Sequence, residues 1–399
     1  MENSFWENKP LNVSEKGSFN QILTNEQLLE KINKELNESK VKLNYSIFNE
    51  ENTTDLKYGE IINFINNNYI VGESNFKLCY TLDLFKFYCK DALILEFHPK
   101  GKKDITIGYI IGKKEKLNIK KSSLDYDIER KDNLINILEV NFLCLTPKLR
   151  NLHIGPYMIN CLTKESISKF NIGIAHYTIN SPIKSPYISK KQFYHRMLNI
   201  DKLINCKFLN DDSNGKDIPL LKKVYNTFDY HKTSDTYFND YRVILLENSN
   251  QIHLESRIYD LYKEYAKNTY DIYQEMSLEE LHEILDNKDF YNFIILDSVD
   301  STVAFISFFK LDTTTDNGIY KNGYYYKMFF KNENVIEDSL EFINEYIYSK
   351  RIFDVLTLPD MFKDLSKMKY VKGTGNLKYY LYNMSSSKID NHKNGLITI

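Results

Sequence analysis

The sequence predicts a mixed α/β (α+β) protein in which one order of elements occurs twice. Three observations carry this. ALILEFHPKGKKDITIGYIIGK (Ala92 to Lys113) reads as a hairpin turning at Pro99 to Lys103, and NFIILDSVDSTVAFISFFK (Asn292 to Lys310) reads as another. Each hairpin is preceded by a helical stretch, Gly59 to Tyr69 and Ser256 to Ala266, and followed by an apolar strand, Leu138 to Thr146 and Tyr324 to Phe330. After each strand comes a helix, near Pro147 to Phe170 and near Val335 to Lys350, and then a further strand, Ile172 to Ile179 and Phe353 to Leu358. The polar runs Asn210 to Asp217 and Phe228 to Asp240 mark a seam between the copies. The expected division is an approach segment, residues 1–44, a first half, 45–215, and a second half, 216–399.

Taken in order, the approach segment contains a charged stretch from Leu23 to Leu43 with Leu28, Ile32 and Leu36 at four-residue spacing, which predicts a solvated helix. In the first half, LEVNFLCLT (Leu138 to Thr146) alternates Leu138, Val140, Phe142 and Cys144 as a strand does. The next ten residues, PKLRNLHIGP, place Pro147, Lys148 and Arg150 where a helix begins. Amides at a helix N-terminus point at anions, and Gly155 lets backbone and ligand approach closely. The pattern R-x-x-H-x-G (Arg150, His153, Gly155) is a variant of the pyrophosphate loop of acetyltransferase-type folds. The matching place in the second half, Phe330 to Val335, offers Lys331 and Glu333 but no glycine, so the anion site is expected in the first half alone.

A chain of 399 residues with 52 basic and 54 acidic side chains, net charge -2, has no global attraction for nucleic acid or membrane. Five cysteines without a C-x-x-C pair and eight histidines without H-x-x-x-H indicate neither a metal site nor a disulfide framework. A reducing cytoplasm fits best. MENSFWENKP lacks the basic and apolar regions of a leader, and no apolar run approaches the ~18 residues of a spanning helix. The 31 Tyr and 24 Phe could line an acyl tunnel, but abundant Asn, Lys, Ile and Tyr together read better as AT-rich codon bias.

Four segments carry a family resemblance. EVNFLCLTPKLRNLHIGP (Glu139 to Pro156) resembles the signature of N-myristoyltransferases, and QFYHRMLN (Gln192 to Asn199) resembles that family's aromatic-His-Arg-x-Leu-Asn element. GTGNLKYYLYN (Gly373 to Asn383) with the final GLITI (Gly395 to Ile399) resembles its C-terminal motifs, and SFWENKP (Ser4 to Pro10) its opening segment. The resemblance implies two acetyltransferase-like (GNAT-type) halves on one continuous saddle-shaped sheet flanked by helices, the first half binding acyl-CoA and the second peptide. It implies a cytoplasmic glycylpeptide N-tetradecanoyltransferase that moves myristate from myristoyl-CoA, a co-substrate, to Gly-initiated peptides. No permanently bound cofactor and no metal is expected, nor any nucleic-acid partner or integral membrane segment; a monomer is.

Site residues follow from the same resemblance. Acyl transfer from a thioester to an amine needs a stabilised oxyanion and an acceptor for the amine's proton. The main-chain amides of Phe142 and Leu143 would form the oxyanion hole, their side chains shaping the thioester pocket. Asn141 and Thr178 would lie beside the acceptor glycine, and the carboxylate of Ile399 would take the proton. Phe5, Trp6, Cys144 and Leu145 would contact acyl-CoA, with Arg150, Asn151, His153, Ile154 and Gly155 around its phosphates. Tyr69, on the acyl-CoA side, and Tyr80, on the peptide side, fall at family tyrosines, with core packing the alternative. His195, Gly375, Asn376 and Leu377 would face the peptide. Two departures bear on substrate choice. The acidic loop of the family is reduced to Val71 to Ser74 with Glu73 its one acid, and Thr374 stands where an acid precedes Gly-Asn-Leu. The rival readings are a catalytically impaired acyl-CoA or lipopeptide-binding protein, and an acyltransferase with altered acyl or substrate preference.

Overall fold

Strand pairing follows from where the apolar runs fall. The computed structural model describes residues 22–69, 76–120, 133–180, 183, 185–209, 217–226, 228, 232–234, 237–238, 240–246, 252–362, 365–384 and 386–398. The first half runs α1 (Asn25–Glu38), β1 (Leu43–Phe48), α2 (Asp55–Asn68), β2 (Lys77–Cys79), α3 (Leu82–Tyr88), β3 (Ala92–Pro99), β4 (Gly108–Ile119) and β5 (Leu134–Leu145). It continues through α4 (Ile154–Phe170), β6 (Ala175–Ile179), β7 (Ser189–Met197) and α5 (Ile200–Asn205). Then come α6 (Ile218–Tyr225), β8 (Lys232–Ser234), β9 (Tyr237–Phe238), β10 (Tyr241–Leu246), α7 (Ile252–Thr269), β11 (Ile272–Gln274) and α8 (Leu278–Asp286). The chain closes with β12 (Phe290–Leu296), β13 (Thr302–Lys310), β14 (Asp312–Thr315), β15 (Gly318–Tyr320), β16 (Asn322–Phe330), α9 (Ile336–Ser349), β17 (Val355–Pro359), β18 (Val371–Tyr382) and β19 (Asn394–Gly395).

One sheet takes nearly all the strands, in the order β1-β3-β4-β5-β6-β18-β7-β17-β16-β13-β12-β10-β9-β8, with β11 joining β4 to β19; β2, β14 and β15 form a small second sheet. The order is close to a palindrome. β3-β4-β5-β6 on one side answers β12-β13-β16-β17 on the other, and within each set the last two strands run parallel across a helix, α4 or α9. The centre is an exchange: β7 follows β6 in sequence but pairs with β17, whereas β18 follows β17 and pairs with both β6 and β7. Strands such as β3 are buried along nearly their whole length because helices cover both faces, so they read as continuous apolar runs.

Both expected hairpins, the flanking helices and the paired strand–helix–strand units are present, with ends moved by a few residues. Two expectations need correction. The helix expected from Pro147 begins at Ile154: Pro147 opens a separate single turn of 3-10 helix, Pro147–Leu149, and the chain then bends through left-handed Asn151 and His153. Nor is the approach helix solvated. A capping box of Thr24 and Gln27 starts α1, which buries Leu28 and Ile32 completely against the first half. Two polar clasps hold it there, Asn25 Nδ2 to Asn171 Oδ1 at 2.8 Å and a reciprocal pair between Leu23 and Asn383.

Candidate active site

β5 and β6 pair in parallel only from Leu138↔Ala175 to Val140↔Tyr177, and beyond that they separate. A bulge accompanies the separation. Tyr109 of β4 faces Cys144 and Ile111 faces Asn141, leaving Phe142 and Leu143 opposite Ile110 alone. Phe142 meets this geometry by turning left-handed, φ 50, an uncommon state for a bulky residue. Its N–H donates at 2.8 Å to Oδ1 of Asn141, an oxygen that also accepts from the Tyr69 hydroxyl at 3.0 Å. The Phe142 ring is fully buried, with ring centroids of Tyr69, Tyr80, Phe85 and Tyr88 5.0 to 5.4 Å away. That ring is therefore packed in an aromatic core, although Phe142 is also among the residues that line the cavity beside it. Leu143 points the other way and stays 39% exposed.

The widening split holds a cavity of about 370 Å³. Its walls are apolar residues of both strands and of α4, among them Val140, Leu143, Ile159, Leu162 and Ala175, with Asn141 and Thr178 as polar points and Leu377 closing one side. Cys144 and Leu145 are not among its walls. Burial pushes the Tyr69 hydroxyl well above its ordinary range, so it is a neutral donor.

At the mouth, the first amides of α4 have no partners within the helix, and the left-handed N-cap His153 supplies no side-chain cap. A Cβ at Gly155 would meet only Leu143 Cδ2, at 3.9 Å. Packing does not demand glycine there; an approaching ligand would. Arg150 bends back to the chain, its guanidinium on the carbonyls of Asn68 and Leu145. Asn151 and His153 are exposed.

Gly375 and Asn376 sit elsewhere, at a bulge of β18 where residues 373–375 face Phe193 alone. The Gln192 carboxamide pins that bulge through the carbonyls of Gly373 and Gly375, at 2.8 and 2.6 Å. A Cβ at Gly373 would lie 2.4 Å from His195 Nε2. His195 itself bonds through Nδ1 to Thr357 Oγ1 at 3.0 Å, and burial lowers its pKa to about 4, which makes it a neutral structural partner. Asn376 Oδ1 is buried with no hydrogen-bond partner among the described residues. Tyr80 packs on Phe142 rather than lining the cavity. Phe5, Trp6, Glu73 with the loop around it, and Ile399 lie outside the described residues.

Sequence reasoning missed the charge beneath the bulge. Glu139 of β5 stands opposite Lys113 of β4 and His176 of β6, and Glu115 lies two pairs further along, on the same face. Glu139 and His176 are buried and Lys113 and Glu115 partly so, and Glu115, Glu139 and His176 bring one donor atom each within 4.8 Å of one another. Burial would raise Glu115, but the His176 hydrogen bond, the Lys113 charge and the Gln274 amide outweigh it and hold the carboxyl near 2. Burial and the Glu115 charge push Glu139 far up, so the pair keeps one proton. Alternation along β5 places Glu139 on the face of Asn141; that was the available signal.

A strand split over a helix is thus built twice in this sheet. Residues 22–189 match the family described as myristoyl-CoA:protein N-myristoyltransferase, N-terminal domain. Glycylpeptide N-tetradecanoyltransferase 2 of Danio rerio is 26% identical over 86% of this chain and 68% of its own length. The glycylpeptide N-tetradecanoyltransferase of Plasmodium falciparum is 24% identical over 99% of this chain and 93% of its own. The crystal structure of Saccharomyces cerevisiae N-myristoyltransferase with bound myristoyl-CoA shares the fold, with a TM-score of 0.74 at 18% identity over 98% of this chain and 94% of that one. The chain is thus similar to N-myristoyltransferases, in sequence over residues 22–189 of the family's N-terminal domain and in fold over nearly its whole length.

Proposed function

We propose that the chain transfers myristate from myristoyl-CoA to the N-terminal glycine of peptides by direct attack of the amine on the thioester. The observation that carries this is the cavity of about 370 Å³ opening beside the bulge, with Asn141, Phe142 and Leu143 among the residues that line it. That volume lies within the ~300–1,000 Å³ of small-ligand sites, and its walls suit an acyl chain. The first turn of α4 receives the phosphates, with Gly155 leaving room for them.

In the reaction the peptide's ammonium first loses a proton, and the neutral amine attacks the carbonyl carbon. Charge gathers on the carbonyl oxygen, where the amides of Phe142 and Leu143 can donate. Asn141 Oδ1 now occupies the Phe142 amide, so it stands where that oxyanion would be and must turn aside, its other partner being the Tyr69 hydroxyl. When the C–S bond breaks, the second amine proton leaves and the thiolate takes one up. One proton is released overall. Its acceptor, in this reading, is the carboxylate of Ile399. Thr178 and Asn376 Oδ1 are the polar groups offered to the peptide's first residue. Residues 45–215 hold acyl-CoA and 216–399 most of the peptide surface.

We place the protein in the cytoplasm as a monomer. Its five thiols are free and suit a reducing compartment, and among the described residues no helix is long and apolar enough to cross a membrane. Myristoyl transfer to a panel of Gly-initiated peptides, with gel filtration alongside, tests the reading. The occupied Phe142 amide favours one alternative, an acyl-CoA binder without turnover, and stoichiometric binding with no product would establish it.

A further inference from the structure

Gln274, the last residue of β11, reaches from the second half into the buried charge of the first. Its Nε2 donates to Glu115 Oε2 at 2.8 Å and to the Ile397 carbonyl at 2.9 Å, while its Oε1 accepts the Ile397 N–H at 3.1 Å. One carboxamide thus satisfies both backbone groups of Ile397. Its orientation is determined, because a flip would set Oε1 against a carboxylate and a carbonyl at once. Glu115 is held in turn by His176 Nε2 at 3.4 Å and Lys113 Nζ at 3.5 Å.

The arrangement continues to the bulge. Lys113 Nζ lies 5.7 Å over the Tyr88 ring, and Tyr88 packs on Phe142. On the other side, the Leu396 carbonyl accepts from Lys191 Nζ at 3.1 Å and the Tyr379 hydroxyl at 3.3 Å. Gly395 completes the seat, since a Cβ there would lie 2.6 Å from the Tyr270 ring. Leu396 and Ile397 are already buried by apolar contact. A satisfied polar network laid over that burial specifies a position more than it adds adhesion. The three donors of Glu115, Glu139 and His176 could hold a cation, but Lys113 and Lys327 already bring positive charge to the same groups.

We propose that Gln274, oriented by Glu115, is a positioning residue that sets where the segment following Ile397 lies relative to the reacting centre. This rests on the reading that the segment supplies the proton acceptor. Gln274→Leu is expected to lower kcat by about tenfold, the worth of one or two such hydrogen bonds, with acyl-CoA Kd and peptide KM within about twofold. Glu115→Gln, whose carbonyl can still accept from Gln274, should keep most of the rate; Glu115→Leu should fall with Gln274→Leu. Hydrogen exchange at the Ile397 amide should quicken in the two Leu variants.

Unchanged kcat in Gln274→Leu, in a protein that stops turning over when Thr398 and Ile399 are removed, overturns the clamp and leaves the acceptor reading intact. Full turnover without those two residues sinks the acceptor reading instead. Exchange at Ile397 that stays slow then overturns the clamp as well. Parallel losses of Tm, acyl-CoA binding and kcat would mark Gln274 as general support and also overturn it. Should Gln274→Leu not fold, the order of the two Glu115 variants decides.

Discussion

The two halves bend the same element differently. In the first, β5 bulges at Phe142 and Leu143 beyond the point where it leaves β6; in the second, β16 bulges too, with Tyr326 and Lys327 facing Ser307 alone just after the strand leaves β17. Only Phe142 turns left-handed. The helix starts differ as well. α4 begins Ile154-Gly155 with no acid in its first turn, whereas α9 carries Glu337 and Asp338 there. An acidic first turn suits the helix's own dipole but repels phosphate. The second split also holds a cavity, of about 470 Å³, but its lining is more polar, with Lys331, Glu333 and Glu337 beside Phe330, Ile336 and Met361. One scaffold thus occurs twice, and a left-handed residue with a neutral helix start distinguishes the copy proposed here as the acyl-CoA site.

Variants that treat the copies differently can break or sharpen this contrast. The largest effect is expected from removing Thr398 and Ile399: turnover should fall about a hundredfold or more, the scale of general-base loss, while acyl-CoA binding in the first half stays. Equal losses of binding and turnover would blur the division between halves. Next, Leu162→Ala and Ile343→Ala should each cost ~2–5 kcal/mol in urea unfolding, since both side chains are buried. Leu162→Ala alone should move acyl-chain preference toward longer chains, because Leu162 lines the cavity. A third pair is Gly155→Val against Glu337→Val: the first should weaken acyl-CoA binding about tenfold or more with Tm kept, and the second should leave binding alone.

Buried lysines give a smaller, pH-dependent comparison. Burial lowers Lys191 to about 7, against ~10.4 for an unfolded lysine. Between those values the unfolded chain binds the extra proton, so stability should rise with pH from about 7 to 10, by at most ~1.4 kcal/mol per unit. Lys191→Met should flatten that rise; an unaltered slope would place Lys191 in better-solvated surroundings. The smallest effect concerns the peptide. With Thr374 in place of an acid and Glu73 the one carboxylate of its loop, matched Lys and Ala peptides should differ by ~0–1 kcal/mol in kcat/KM. A hundredfold preference would mean that other acids recognise the lysine.

Legibility in the sequence followed the range of the interactions. The doubled hairpin–strand–helix–strand order could be read because apolar alternation and turn residues are local. The start of α4 was misplaced because Pro147 suits a 3-10 turn as well as an α-helix, and the left-handed bends at Asn151 and His153 leave little local mark. The motif marks Phe142 as a candidate site position but gives no sign that its ring lies in an aromatic core that Tyr69, Tyr80, Phe85 and Tyr88 assemble from separate elements. Burial of α1 depends on a partner, α4, more than a hundred residues away. Gln274 had no legible signal at all, since a lone glutamine gains meaning only when β11 sets it between β4 and β19.

The exchanged central strands also constrain how the molecule comes into being. β18, residues 371–382, fills the middle of the sheet between β6 and β7. A ribosome making this chain would finish β6 nearly two hundred residues before it makes β18, which β6 awaits as a neighbour. Such distant pairing is slow, and the waiting strand edge is open to wrong partners. Fragments ending before residue 371 should therefore gather on chaperones or aggregate, and working protein should emerge only after β18 has been synthesised.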